Sequence, residues 1–242
     1  MRVGIIGSVL LLLTTPPALA GGVNLTWGTG CWQDNPSSLL IFACDTNVGS
    51  ASMTASFAVD RSTHAFDLSA KLDIQSDSPQ LPDWWQFANP LGCRAGSLSA
   101  SVAFGQAPGG CRVLWPGPVQ LSYYWVTAAY PGPYPPVSGS SRARSEVAFH
   151  PIPDGSPMNL LAATEYYAFT MTFDFARTAE LRQCTGCTVP LTIVLNDLWV
   201  FPYHLTTPLA NACLRWQADG VTPCSATPIH NRTWGALKSL YR

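Results

Sequence analysis

The chain has 242 residues, with 13 Lys and Arg against 14 Asp and Glu and a formal net charge of −1 at pH 7. Charged residues make up 11% of it, against about 25% in an ordinary globular protein, so no basic field exists to hold a phosphate backbone and nucleic acid is not an expected partner. The length suits one large all-β domain with its own core, and no Gly/Ser linker divides it.

Residues 1–20, MRVGIIGSVLLLLTTPPALA, begin with a positive Arg2, continue through an apolar run from Val3 to Leu13 and close on Ala18-Leu19-Ala20. This is the pattern of a secretory signal peptide cleaved after Ala20. The apolar run is too short to span a bilayer, and no later stretch approaches the roughly 18 apolar residues of a transmembrane helix. The mature chain, residues 21–242, is therefore expected to be secreted, periplasmic or on the cell surface. All eight cysteines lie beyond the cleavage point, at Cys31, Cys44, Cys93, Cys111, Cys184, Cys187, Cys213 and Cys224. An even number in an oxidising compartment points to a disulfide framework. The expected pairing is local, Cys31–Cys44, Cys93–Cys111, Cys184–Cys187 and Cys213–Cys224, because each bridge would then staple one loop or hairpin.

Residues 51–59 read as the first clear strand. In residues 66–75 Phe66, Leu68, Ala70, Leu72 and Ile74 alternate with Asp67, Ser69, Lys71, Asp73 and Gln75, a period of two that sends one set to a core and the other to water. The segment SPQLPDWWQFANPLGCR, residues 78–94, follows as an extended or turn-like loop. There adjacent side chains are expected on opposite sides, so that one of Trp84 and Trp85 is buried while the other faces out. Residues 97–104 alternate Leu98, Ala100, Val102 and Phe104 with serines. Residues 119–126 place Tyr123 and Trp125 inward and Tyr124 outward. The proline-rich residues 130–136 cannot join a ladder and form a surface loop. Strands are expected at 142–150, at 167–175 with Tyr167, Phe169, Met171, Phe173 and Phe175 inward, at 191–196, and at 212–217. In residues 218–242 Trp234, Leu237 and Tyr241 share one face of a short C-terminal helical tail.

One apolar face per strand, Gly- and Pro-rich connections and almost no helical period predict an all-β fold. The expected form is a single disulfide-stabilised antiparallel β-sandwich over residues 21–217, immunoglobulin-like or jelly-roll in type. A flattened barrel has the same strand signature.

Motifs for chemistry are sparse. Cys184-Thr-Gly-Cys187 would suit a redox pair on a helix N-terminus, but it falls in a turn between two strands and reads as structural. His64, His150, His204 and His230 are scattered and offer no second pair for a zinc site. Glu165, Asp174 and Asp197 show no spacing that pairs them across a sugar. No catalytic residue, metal or cofactor is therefore expected. Aromatic residues beside hydrogen-bonding side chains are what remains: Asp83, Trp84, Trp85, Gln86, Asn89 and Tyr124 form a candidate carbohydrate-binding platform. On it a ring would stack on a sugar face while the polar groups take its hydroxyls.

With GVNLTW at residues 22–27, Cys31, ACDTN at 43–47 followed by Gly49-Ser50, and LPDWWQF within residues 78–94, the chain resembles a group of uncharacterised secreted bacterial proteins. The resemblance runs through Trp216-Gln217. It implies bacterial export and one disulfide-bearing β-rich domain, leaves the sequons at Asn24 and Asn231 unused, and transfers no activity or site residue. The expected function is an exported, non-enzymatic interaction module for a glycan or another envelope component. A secreted hydrolase with a site assembled from separate loops, or a passive structural envelope protein, are the alternatives.

Overall fold

The computed structural model describes residues 22–34, 36–102, 107, 109–115, 117–129, 139–151, 157–179, 184–205 and 211–218. The proposed signal peptide, Cys224 and almost all of the predicted tail lie outside the described residues. Within them the chain forms β1 (Gly22–Trp27), β2 (Leu39–Leu40), β3 (Ser50–Ala58), β4 (Thr63–Ala65), β5 (Leu68–Ser76), β6 (Leu98–Ser101), β7 (Arg112–Val113), β8 (Val119–Thr127), β9 (Arg142–Pro151), β10 (Met158–Leu160), β11 (Glu165–Asp174), β12 (Leu191–Val200), β13 (Tyr203–Leu205) and β14 (Cys213–Trp216). The all-β class is as the alternation requires.

One sheet runs β1-β3-β11-β6 with β7 beside β11. The second runs β2-β14-β12-β5-β9-β8 with β13 beside β12, and β4 and β10 form a small ribbon. Strand pairs are antiparallel except β7 on β11 and β2 on β14. The inward set of β5, Leu68, Ala70, Leu72 and Ile74, is buried in the same apolar cluster as Phe169, Met171 and Phe173 of β11. The two sheets thus face one another. Phe149 of β9 meets Phe169 at 6.3 Å between ring centroids, and Trp27 of β1 meets Trp216 of β14 at 5.9 Å.

Alternation fails at Phe66, at Ala168 of β11 and at Asn196 of β12. Tyr123 of β8, expected inward, is exposed, with its hydroxyl donating to the Leu98 carbonyl at 3.3 Å. Phe66 is exposed because the ladder of β5 starts only at Leu68. Its backbone N–H instead donates to the Phe201 carbonyl, and its ring lies edge-on to Phe201 at 6.2 Å. At Ala168 the pairing of β11 with β3 shifts register between Tyr167 and Phe169, and such a bulge reverses the facing of residues on one side of it. Tyr167 therefore leaves the main core for a small cluster with Cys31 and Ala107. Its hydroxyl donates to the Ser101 carbonyl at 3.2 Å and lies 3.0 Å from Thr170 Oγ1. Burial raises the Tyr167 pKa, opposed by those hydrogen bonds. An acid whose folded pKa is raised keeps its stabilising contribution below the unfolded value of about 10 and loses it above. Tyr167→Phe should lower stability by about 1 kcal/mol at pH 8. The gap between wild type and variant should narrow as pH rises past 10, which urea unfolding at the two pH values checks.

The outer face of the five-stranded sheet is covered. Asn24, Thr26, Thr54, Ser56 and Thr170 are buried there, with the Thr54 and Thr170 hydroxyls 3.1 Å apart. The Glu165 carboxylate accepts hydrogen bonds from Asn24, from Ser56 and from the backbone N–H groups of Trp32 (3.0 Å) and Gln33 (3.2 Å). Asp34 accepts from the Cys31 and Gly110 amides. Gly109, at φ +71°, leaves room for Asp34, since a Cβ there would sit 1.9 Å from its Oδ2.

The disulfides correct the expected pairing. Cys31 bonds Cys111, Cys44 bonds Cys187 and Cys93 bonds Cys184. None of the local pairs Cys31–Cys44, Cys93–Cys111 or Cys184–Cys187 forms. Cys213 is itself disulfide-bonded. Local stapling fails because strands distant in sequence are neighbours in space: Cys44 and Cys187 are 143 residues apart along the chain. Disulfides fit an oxidising compartment, and among the described residues no helix is long and apolar enough to cross a membrane.

Candidate functional site

The tryptophan pair lies inside the protein. Asp83–Trp85 form a 3₁₀ turn rather than an extended run, and three residues per turn set adjacent side chains about 120° apart, so both rings can point inward. Trp84 and Trp85 are each 0% exposed. Trp84 stacks on Trp216 at 4.9 Å and donates from Nε1 to Thr178 Oγ1 at 3.0 Å. Trp85 meets Phe173 at 5.4 Å and Trp216 at 5.3 Å. Arg94, also fully buried, lies 4.1 Å above the Trp84 ring and donates to the carbonyls of Asp174 and Ala176. Burial lowers its pKa to about 10 against a raising pull from Asp174. The Cys184–Cys187 turn closes the plug from outside. Gly186, at φ +87°, permits this contact, because a Cβ would lie 2.3 Å from Pro82.

The polar companions of the pair are locally engaged. Asp83 accepts from Thr185 and Gln86, Gln86 also donates to the Leu81 carbonyl, and Asn89 Oδ1 accepts the Leu91 amide. Tyr124 is exposed, on the opposite side of β8 from Trp125. It lies on a sheet face apart from the buried pair. The expectation of one outward tryptophan is thus overturned, and among the described residues no exposed ring stands beside Asp83, Gln86 and Asn89.

Exposed aromatic chemistry sits instead on the outer face of the seven-stranded sheet, where Trp199 and Tyr124 are exposed. Register fixes its layout as rows across β12, β5, β9 and β8. Trp199 lies beside Ser69, Ala148 and Ser122, and Asp197 beside Lys71, Glu146 and Tyr124. Beyond them, Asp73 pairs with Arg144 at 2.7 Å, and their hydrogen bond raises the Arg144 pKa. On the other flank Asp67 pairs with His150 at 2.9 Å. The Ser69-Ala148-Ser122 row is a floor of small side chains between two polar walls. At about 4.8 Å per strand it runs about 14 Å from β12 to β8.

Trp199 closes one end of this trough. The ladder of β12 on β5 shifts between Leu195 and Asp197, and the bulge turns both Asn196 and Asp197 toward the outer face. Asn196 donates to Asp73 at 2.6 Å. Asp197 accepts from Trp199 Nε1 at 3.1 Å and from His204. His204, opposite Trp199 on β13, stacks on the indole at 4.5 Å with an interplanar angle of 18°. Trp199 is 43% exposed, a flat ring fixed by a hydrogen bond and a stack yet open to solvent.

The strand expected at 191–196 stops short of Trp199, whereas β12 continues to Val200. A signal was nevertheless present. Leu191, Ile193 and Leu195 keep one phase of the alternation while Leu198 and Val200 keep the other, and that phase slip marks the bulge and places Trp199 outward. The three acids considered for hydrolysis do not converge. Glu165 and Asp174 stand at opposite ends of β11, about 30 Å apart at the rise of a strand, and Asp197 belongs to the other sheet. Among the described residues no group of three His, Cys, Asp or Glu could hold a metal. No protein-family model, curated protein or solved structure matches the chain.

Proposed function

We propose that the protein is an exported β-sandwich interaction module that binds a glycan, such as a cell-envelope polysaccharide, along the outer face of its seven-stranded sheet. The observation that carries this reading is Trp199: an exposed indole, held flat by His204 and Asp197, at the head of a trough lined by paired acids and bases. A sugar ring has an apolar C–H face that stacks on an indole and an equatorial rim of hydroxyls that donate to carboxylates and accept from Arg and Lys. Asp197, Lys71 and Glu146 supply both polarities beside that ring. Tyr124, at the far end of the same row, offers a second stacking surface and keeps one member of the expected platform in the reading.

Trp199→Ala should weaken binding to the glycan selected from an immobilised panel by about 2 kcal/mol, roughly 30-fold, the loss that accompanies truncation of an anchoring tryptophan. Its stability should fall by only about 1 kcal/mol, the loss of one hydrogen bond and one stack at a partly exposed site. Titration calorimetry with a thermal melt alongside measures both. Unchanged affinity in Trp199→Ala, or a panel with no binder, would reject this face as a glycan site and leave a passive structural role.

A further inference from the structure

A cleft of about 280 Å³ lies beside the β12–β13 hairpin, where Asp60, Arg61, Thr63, Tyr203 and His204 surround the end of β1 at Gly22. His204, one of its lining residues, is also the residue stacked on Trp199, so the cleft neighbours the proposed glycan face. Thr63 Oγ1 is buried and has no hydrogen-bond partner. The Arg61 guanidinium forms no ion pair among the described residues and lies 5.9 Å over the Tyr203 ring. The cleft brings the Arg61 guanidinium, with its five N–H donors, and the Tyr203 side chain together with one carboxylate, Asp60.

We infer that this cleft is a subsite for the carboxylate of an acidic sugar, a uronate at the end of the glycan that lies along the face, an inference that rests on the glycan-binding reading above. A planar carboxylate is the acceptor that matches a guanidinium fork, and Lys-like point charges do not reproduce the match. The ring hydroxyls of the sugar donate to Asp60. The volume is at the lower end of small-molecule sites, which start near roughly 300 Å³. It holds one sugar ring, with the remainder of the chain passing over His204 to Trp199.

The test uses two tetrasaccharides, one alternating glucuronate with N-acetylglucosamine and one of N-acetylglucosamine alone, titrated into the purified protein. The uronate chain should bind about tenfold more tightly, the gain of one charge-assisted contact. Arg61→Gln should erase that preference without changing the melting temperature. Salt at about 0.5 M should weaken the uronate chain selectively. Trp199→Ala should weaken both chains. Equal binding of the two chains, unaffected by Arg61→Gln but still reduced by Trp199→Ala, would overturn the subsite and leave the glycan face standing. Failure of both chains to bind would likewise overturn the subsite, with the wider panel then deciding the glycan reading by itself.

Discussion

Trp84→Ala is expected to lower the free energy of unfolding by about 3–5 kcal/mol, the range for truncating a buried tryptophan. A whole domain has only roughly 5–15 kcal/mol of net stability, so the variant should be close to unfolding at physiological temperature. Three losses combine. The ring gives up its stack on Trp216, its Nε1 leaves the Thr178 hydroxyl without a donor, and the Arg94 guanidinium loses the aromatic face below it. The last is severe because Arg94 is fully buried, and a buried cation without its surroundings faces an uncompensated desolvation penalty. Thr178→Val, which removes only the hydrogen-bond acceptor, should cost about 1 kcal/mol. Equilibrium urea unfolding measures both. Hydroxyl-radical footprinting of the native protein adds a direct check: Trp84 and Trp85 should be protected while Trp199 oxidises. A loss below 1 kcal/mol, or rapid oxidation of Trp84, would mean that the pair does not seal the core.

Replacing Cys44 and Cys187 together by Ala should cost about 2–5 kcal/mol, toward the upper part of the range because the closed loop is long. The bridge spans 143 residues and joins the chain after β2 to the turn before β12. Its loss releases a large constraint on the unfolded chain. It also loosens the native turn, since the Cys187 carbonyl accepts the Trp216 Nε1 proton at 2.6 Å, and Trp216 is the ring on which Trp84 rests. Urea unfolding of the double variant, read beside a non-reducing peptide map of the wild type, tests the energy and the connectivity together. The map should show peptides joining Cys44 with Cys187 and Cys93 with Cys184. A peptide closed by Cys184 and Cys187 alone would contradict the fold around the plug.

These two expectations concern the core, and their independence from the proposed site is itself informative. Trp84, Trp85, Arg94 and the two disulfides that frame them form a plug between the two sheets. Trp199, His204 and the Asp73–Arg144 pair occupy the outer face. Substitutions on that face should change ligand binding with little effect on stability, and substitutions in the plug should do the reverse. Surface residues add little to folding because water already satisfies them, which leaves the face free to be chemically specific.

The sequence by itself determined the all-β class and most of the facing. In β5 the inward Leu68, Ala70, Leu72 and Ile74 follow from a two-residue period that is a local property of extended backbone. Tyr124 outside and Trp125 inside follow from the same rule in β8. Eight cysteines in a chain with few charges pointed to a disulfide framework, and the described residues contain it. Tertiary structure decided whatever depends on proximity through space. Cys44 found Cys187 and Cys93 found Cys184 because sheet topology gathers strand ends far apart in the chain. Tyr167 and Asn196 turned at bulges whose register is set by the partner strand. Trp84 and Trp85 both went inside because a 3₁₀ turn and the stack with Trp216 gave each ring a buried partner. Trp199 is exposed on the outer face of its sheet, whereas the polar outer face of the other is covered by a loop anchored on Glu165. Local periodicity assigns a residue to a face; only the packing of one sheet against another, and of loops over one of them, decides which faces meet water.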